Sequence, residues 1–95
     1  MTDVVQHREQ GTRGEFFIER DGARVAEMIY QRIKESTIRI DHTEVDVSLR
    51  GGGVARQLLD AAVAWARQNK AKISPNCSYV VAQFARDKSL HDVSA

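Results

Sequence analysis

The sequence has little of what secreted and membrane proteins use for stability or anchoring. One cysteine, Cys77, stands among 95 residues, so an internal disulfide is excluded, and a lone thiol is typical of a reducing compartment. No apolar run approaches the roughly 20 residues of a membrane span, and the N-terminal sequence MTDVVQHREQ has no apolar signal-peptide centre. These absences predict a cytoplasmic protein with no membrane partner.

The chain also lacks an excess of either charge. Lys and Arg number 14 and Asp and Glu 13, for a net charge of +1, so there is no general attraction to nucleic acid and any basic site must be local. Aromatic residues make up only 6% and lie away from any basic run, which argues against base stacking. With 42% hydrophobic residues, the chain fits one small globular domain. We expect no nucleic-acid partner. We also expect a monomer, because a short sheet covered by helices gives no clear edge for self-pairing.

The first third of the chain predicts a polar arm followed by a β-hairpin. Residues 1–13 are polar and predict a flexible arm, with a short edge strand as the alternative. Residues 15–20 and 23–30 flank the pair Asp21-Gly22, which is typical of a type I′ hairpin turn. Residues 23–30 also show helical spacing, so helix and strand both remain open there, and the turn favours strand.

Residues 36–47 predict a strand whose alternation slips. Ile38 and Ile40 alternate with polar residues, but the next apolar residues, Val45 and Val47, fall on the opposite parity. Because side chains alternate strictly along a strand, the slip predicts either a bulge or a strand whose halves face different neighbours.

The second half of the chain predicts two helices separated by a short strand. Apolar residues recur at three- and four-residue steps over residues 53–69, which predicts an amphipathic helix. Residues 71–74 predict a strand parallel to the preceding one, residues 78–86 a second helix, and residues 88–95 a polar tail. The order β-β-β-α-β-α indicates an α/β (α+β) fold, a small mixed sheet with two helices packed on it.

Three consecutive glycines, residues 51–53, connect the slipped strand to the first helix. The first N–H groups of a helix have no internal partner, and with the helix dipole they favour a bound phosphate. A nucleoside triphosphatase loop needs Lys-Ser/Thr next, but Val54 follows, and the spacing of a dinucleotide-binding turn is absent. Two interpretations remain: a generic phosphate site flanked by Arg50 and Arg56, or a flexible loop entering a helix.

The segment RGGGVA at residues 50–55 resembles the Arg/Gln-x-x-Gly-x-Gly/Ala signature of GCN5-related N-acetyltransferases. The chain is more specifically similar to the minimal, single-domain YjdJ-type branch of that superfamily. The matching blocks are IDHTEV at residues 40–45, LRG at 49–51 and ISPNCSYV at 73–80, followed by Phe84. The resemblance implies one minimal acetyltransferase-like domain over residues 14–95, with a strand at 23–30.

The resemblance implies an acetyl-CoA site at the glycine loop, with acetyl-CoA as the cosubstrate. Backbone amides after the loop would hold the pyrophosphate, and the slipped strand would separate from its neighbour to admit the pantetheine arm. Gly52 replaces a larger polar residue of the family pattern, which implies a more flexible loop and weaker binding. The residues implied for CoA are Val45, Val47, Arg50, Gly51, Gly52, Gly53, Val54, Ala55, Arg56, Asn76 and Tyr79.

Cys77 is the first candidate catalytic residue. It precedes the second predicted helix, whose free N–H groups would favour the thiolate and make Cys77 a nucleophile or acyl acceptor. The alternative is a buried cysteine that acts as a small hydrophobe. The resemblance implies that this cysteine faces the thiol end of CoA.

His42 is the second candidate. It could accept a proton from an acceptor amine or from Cys77, because imidazole titrates near neutrality; otherwise it is a strand histidine with a satisfied hydrogen bond. Its parity matches that of Ile38 and Ile40, which predicts partial burial. Glu44 is a rival base but is expected to be solvated. The scattered histidines and single cysteine give no metal-binding spacing, so no metal is expected.

The leading hypothesis is an acetyl-CoA-binding N-acetyltransferase that passes acetyl to an unidentified amine, directly or through Cys77. The alternative is a non-catalytic CoA- or acyl-CoA-binding module that acts through a protein partner. A Cys-His thiol hydrolase is a third hypothesis, which requires His42 within hydrogen-bond reach of the Cys77 sulfur and leaves the glycine loop unexplained.

Overall fold

The computed structural model describes residues 3–95. A five-stranded sheet has the strand order β1-β2-β3-β4-β5, antiparallel except for the parallel pair of β4 and β5. The predicted small mixed sheet with two packed helices is confirmed, with one more strand at the start. The elements are β1 Gln6–Gln10, β2 Arg13–Arg20, β3 Ala23–Lys34, β4 Thr37–Val45, α1 Val54–Gln68, β5 Lys72–Pro75 and α2 Ser78–Arg86, with 3-10 helices at Val47–Leu49 and Lys88–Val93.

The hairpin between β2 and β3 forms at the predicted turn. Asp21 and Gly22 have φ angles of 52° and 80°, and positive φ at both positions is what a type I′ turn requires. Its twist matches that of the flanking strands, so residues 23–30 are incorporated into β3 rather than into a helix. The choice between strand and helix is thereby resolved.

The alternation slip in β4 is a bulge at Asp41. Its neighbours Ile40 and His42 lie opposite consecutive residues of β3, which leaves Asp41 as the extra residue. A bulge resets the alternation, so Ile40 and Thr43 both face the helices, and Thr43 lies opposite the fully buried Met28. His42 therefore faces away from the helices and is exposed. The prediction that His42 shares the face of Ile40 is wrong for this reason.

The core lies between one face of the sheet and the two helices. The apolar stripe of α1 packs on β2, β3 and β4, and full burial of each large aliphatic side chain stabilises the fold by about 1.5–3 kcal/mol. No helix in residues 3–95 combines the length and apolar character needed to cross a membrane. The fully buried large side chains are Ile18, Met28, Tyr30, Ile38, Ile40, Leu58, Leu59, Ile73 and Val80.

The N-terminal strand β1 corrects the expectation of a flexible arm over residues 1–13 and confirms its alternative, a short edge strand. Gln6–Gln10 pairs antiparallel with β2, and the ring of His7 stacks on Phe16 with centroids 4.1 Å apart. Backbone pairing holds this strand, so its uniformly polar side chains show no alternation from which it could be predicted. Residues 1–2 of the expected arm lie outside the described residues.

The C-terminal segment is also ordered, so the predicted polar tail is wrong. Lys88–Val93 forms a 3-10 helix in which Leu90 and Val93 are buried. Ser94 then forms a parallel bridge with Ile73 of β5. Two isolated apolar residues are enough to fix this segment to the core, although they give no recognisable period.

Candidate functional site

Strands β4 and β5 separate beyond Ile40. Their pairing covers only Thr37–Ile40, and the Ile40 carbonyl accepts the N–H groups of both Asn76 and Cys77 at 3.0 Å. Past this point β4 continues, whereas the segment after β5 turns away and enters α2. Among the described residues, the backbone of residues 41–45 thus has no strand on its β5 side. An extended ligand can pair with such an edge.

A groove of about 270 Å³ opens beside the far end of β4, beyond the point where the strands separate. It runs from the end of β4, past the glycine loop, to the first turns of α1 and α2. Leu49 of the first 3-10 helix was not predicted for this site, because a single aliphatic residue in a loop gives no local signal. The residues that line the groove are Val45, Leu49, Arg50, Gly51, Gly53, Val54, Ala55, Arg56 and Tyr79.

Three of the residues expected to bind CoA lie outside this lining. Val47 is 74% exposed on the 3-10 helix that follows β4. Gly52 lines an adjoining surface depression on the outer side of the loop. Asn76 lies at the inner end of the strand separation, where its side-chain amide donates to Asp41 at 2.9 Å. Gly52 thus stays beside Arg50, Gly51 and Val54 in the adjoining depression, whereas Val47 and Asn76 line neither the groove nor that depression.

The glycine loop presents a free helix N-terminus to the groove. Gly51 and Gly53 have φ angles of 85° and 80°, which are strained for any residue with a side chain, and Gly53 caps α1 without a side-chain hydrogen bond. Gln57 donates its N–H to the Gly53 carbonyl at 3.1 Å. The N–H groups of Val54 and Ala55 precede that bond and have no partner within the helix. With the helix dipole, they form a potential anion site.

The two arginines beside the loop differ in their partners: Arg56 forms ion pairs, whereas Arg50 does not in the described residues. The Arg56 guanidinium donates to Asp60, Gln83 and Asp87 at 2.8, 2.7 and 2.6 Å, and the bond to Asp87 is the largest cause that raises the pKa of Arg56. Arg56 therefore ties α1 to the end of α2. Arg50 donates to a β4 carbonyl at 3.3 Å and forms no ion pair in the described part of the chain, so it is the arginine available to a ligand.

Tyr79 borders the groove on the α2 side. Burial is the main cause that raises the pKa of Tyr79 above its ordinary value. The phenol therefore stays neutral at physiological pH and can donate a hydrogen bond.

Cys77 lies at the start of α2, half-buried and packed against the core. Its sulfur is 3.3 Å from the hydroxyl of Thr43. Thr43 was missed because its approach to Cys77 depends on the bulge, which turns Thr43 rather than His42 toward the helices. The structure thus does not pair His42 with Cys77, and the thiol hydrolase hypothesis loses its required contact.

A sequence model of the GCN5-related N-acetyl-transferases matches residues 15–93 of this chain. The chain belongs to the GCN5-related N-acetyltransferase family. No curated protein sequence matches it significantly.

Solved structures of acetyltransferases share the fold of this family member. A GCN5-like protein of Staphylococcus aureus, solved by NMR, is 31% identical, with a TM-score of 0.74 over 100% of this chain and 91% of that one. The ribosomal-protein-alanine N-acetyltransferase of Brucella melitensis is 24% identical, with a TM-score of 0.60 over 68% and 50%. AAC(6')-Iy, in complex with the bisubstrate analogue CoA-S-monomethyl-acetylneamine, is 16% identical, with a TM-score of 0.58 over 85% and 62%. The last two likenesses concern the fold alone.

On the face of the acetyltransferase sheet away from the helices, His42 is flanked by two glutamates. Its Nε2 lies 3.1 Å from Glu44 and 3.8 Å from Glu27, and Glu27 is directly opposite Glu44 on β3. One ligand atom from each residue lies within 4.8 Å of the others. Imidazole and carboxylate groups are ligands for divalent cations, and carboxylates also orient a histidine that accepts protons. Sequence spacing did not indicate this cluster because Glu27 is on another strand.

Proposed function

We propose that this chain is an acetyl-CoA-dependent N-acetyltransferase. The observation that carries the proposal is that one groove contains a free helix N-terminus and, at Val45, the end of the unpaired β4 edge. The N–H groups of Val54 and Ala55, with the charge of Arg50, suit a pyrophosphate. The β4 edge suits the amide groups of a pantetheine arm, which would run from the glycine loop toward Cys77.

The proposed reaction transfers acetyl from the thioester sulfur to an amine nitrogen. In the direct route the amine attacks the carbonyl carbon, the bond from carbon to sulfur breaks, and CoA leaves as a thiolate that takes up a proton. His42, on the outer face of the sheet, would accept the proton that the amine loses. In the covalent route the Cys77 thiolate attacks first, and the amine then attacks the acetyl group on Cys77.

The acceptor amine and the setting of the reaction are also proposals. The fold likeness to larger acetyltransferases does not transfer their acceptors, because this chain spans only about half of the Brucella protein. We propose a cytoplasmic protein, because a lone thiol is typical of a reducing compartment, and we propose that it is a monomer.

The test measures CoA release from acetyl-CoA with and without a panel of primary amines, together with the intact mass of the protein. Amine-dependent release supports the enzyme. An acetyl adduct that is lost in Cys77→Ala, but kept in the matched α2 variant Val81→Ala, supports the covalent route. Release that persists in Cys77→Ala supports direct transfer.

Two other outcomes of this experiment count against the proposal. Binding of acetyl-CoA without release for any amine favours the alternative, a CoA-binding module that acts through a protein partner. Absence of binding at millimolar acetyl-CoA rejects both hypotheses and leaves the glycine loop as a turn only.

A further inference from the structure

Thr43 is the strand residue that meets the only thiol of the protein. Its Oγ1 lies 3.3 Å from Sγ of Cys77, and both residues are half-buried. This is hydrogen-bond distance for a sulfur partner, and either atom can act as the donor. The contact lies where the unpaired edge of β4 faces the residue that precedes α2.

Backbone geometry fixes both partners of this contact. The Ile40 carbonyl accepts the N–H of Cys77 at 3.0 Å, and Asn76 is held by Asp41 at 2.9 Å, so the start of α2 cannot slide along β4. The bulge at Asp41 turns Thr43 toward the helices. The pairing of hydroxyl and sulfur is therefore a consequence of the strand separation itself.

We propose that Thr43 is the positioning residue for the Cys77 thiolate. Its hydroxyl donates a hydrogen bond to the sulfur, and hydrogen bonds to an ionised acceptor are stronger than those to a neutral one. The hydroxyl is thus placed to donate to the sulfur when Cys77 attacks as the thiolate. It also holds the sulfur beside the β4 edge.

In the covalent route, Thr43 forms and breaks no covalent bond. Cys77 gives its proton to solvent, the thiolate forms a bond to the carbonyl carbon of acetyl-CoA, and the bond from that carbon to the CoA sulfur breaks. CoA leaves as a thiolate and takes up a proton. This use of the pair rests on the proposed function, whereas the reactivity of the thiol can be measured without any CoA.

The test is the rate of alkylation of Cys77 by iodoacetamide at pH 7, with the melting temperature of each variant. Thr43→Val keeps the shape of the side chain and removes the donor, so the rate is expected to fall about threefold, because the attacking sulfur loses the hydrogen bond that orients it. Thr43→Ser keeps the donor and should restore the wild-type rate. Thr12→Val, the same chemical change at an exposed residue of the turn between β1 and β2, should alkylate as wild type does.

Equal rates for wild type and Thr43→Val overturn the inference, and so does a Thr43→Ser variant as slow as Thr43→Val. Thr43→Ala removes the same donor and widens access to the sulfur; a slow rate in this variant supports the inference even if Thr43→Val does not fold.

The acetyl adduct separates failure of the inference from failure of the proposed function. Slow alkylation of Thr43→Val with no acetyl adduct on the wild type supports the positioning role and rejects the covalent route. An adduct on the wild type together with an unchanged alkylation rate in Thr43→Val supports the covalent route and rejects the positioning role of Thr43.

Discussion

Asn76 donates its side-chain N–H to the Asp41 carboxylate at 2.9 Å. The acceptor is the bulged residue of β4, and the donor is the first residue after β5, so the bond joins the two strands where their pairing ends. Arg39 also donates to Asp41 at 2.6 and 3.0 Å and is the main cause that holds the pKa of Asp41 below its ordinary value. The inner end of the strand separation is thus held by side chains as well as by backbone.

Removal of this tie should destabilise the domain. Asp41→Ala takes away the acceptor of both Asn76 and Arg39, and a side-chain hydrogen bond of this kind contributes about 1 kcal/mol. Urea unfolding at neutral pH should show that loss. Glu44→Ala, a more exposed carboxylate on the same strand, should change stability by less than about 0.5 kcal/mol. Equal losses in the two variants would contradict the role given to Asp41.

Substitution by alanine should have opposite effects on stability at two adjacent glycines of the loop. Gly53 has a φ of 80°, so Gly53→Ala is strained and should lower the free energy of unfolding by about 1 kcal/mol. Gly52 lies outside the left-handed region, and an added Cβ would meet only the Leu49 carbonyl at 3.4 Å. Gly52→Ala should therefore raise the free energy of unfolding by about 0.5 kcal/mol through the unfolded state. Chemical denaturation of both variants measures the difference between their free energies of unfolding. Equal losses of stability would contradict the backbone conformations of Gly52 and Gly53 described above.

Gly14 should not accept any side chain. A Cβ there would lie 2.0 Å from Cζ of Tyr30, and Tyr30 is fully buried with its hydroxyl donating to Glu9 at 2.6 Å. The buried ring has no free space to move into, so Gly14→Ala should lower the free energy of unfolding by about 3 kcal/mol or more. Thermal unfolding beside Gly52→Ala, the same chemical change at an open position, checks this. A normal melting temperature for Gly14→Ala would contradict the packing of Tyr30.

Acid stability should depend on Asp87. Hydrogen bonds from Ser89 first, and then from Arg56, lower the pKa of Asp87 from 3.8 to about 2. A folded pKa below the unfolded one adds stability that is fully present above pH 3.8 and is lost as the pH falls through about 2. The melting temperature of Asp87→Asn should consequently fall less steeply than that of wild type within this window.

Asp60→Asn is the matched control for the acid experiment, because it removes a different carboxylate partner of the same Arg56. It should keep the steep wild-type fall in melting temperature. Parallel curves for wild type and Asp87→Asn would show that Asp87 does not contribute to the acid transition.

Local signals in the sequence predicted most of the fold. The Asp21-Gly22 turn determined the hairpin, and the apolar period located α1 because its core stripe is continuous. The parity slip indicated the bulge. The glycine run marked the helix entrance that borders the groove, because left-handed φ angles at Gly51 and Gly53 are a backbone property that the residue type reveals.

Non-local contacts account for what the sequence did not predict. The strand β1 is held by backbone pairing, which leaves no mark on its polar side chains. The parity argument located a slip but not the extra residue, so His42 was assigned to the wrong face and Thr43 was missed. Leu90 and Val93 are buried because their 3-10 helix packs against α1 and α2, and a short polar segment gives no sign of that.

The central claim is that acetyl-CoA binds at the glycine loop and along the free edge of β4. An NMR titration of the ¹⁵N-labelled protein with acetyl-CoA tests it most directly, since each backbone amide reports separately. We expect the largest shifts at the amides of Gly53, Val54 and Ala55, with further changes along residues 41–45 and little change in β1. Unchanged amides at the loop, or shifts confined to the outer face around Glu27 and His42, would contradict it.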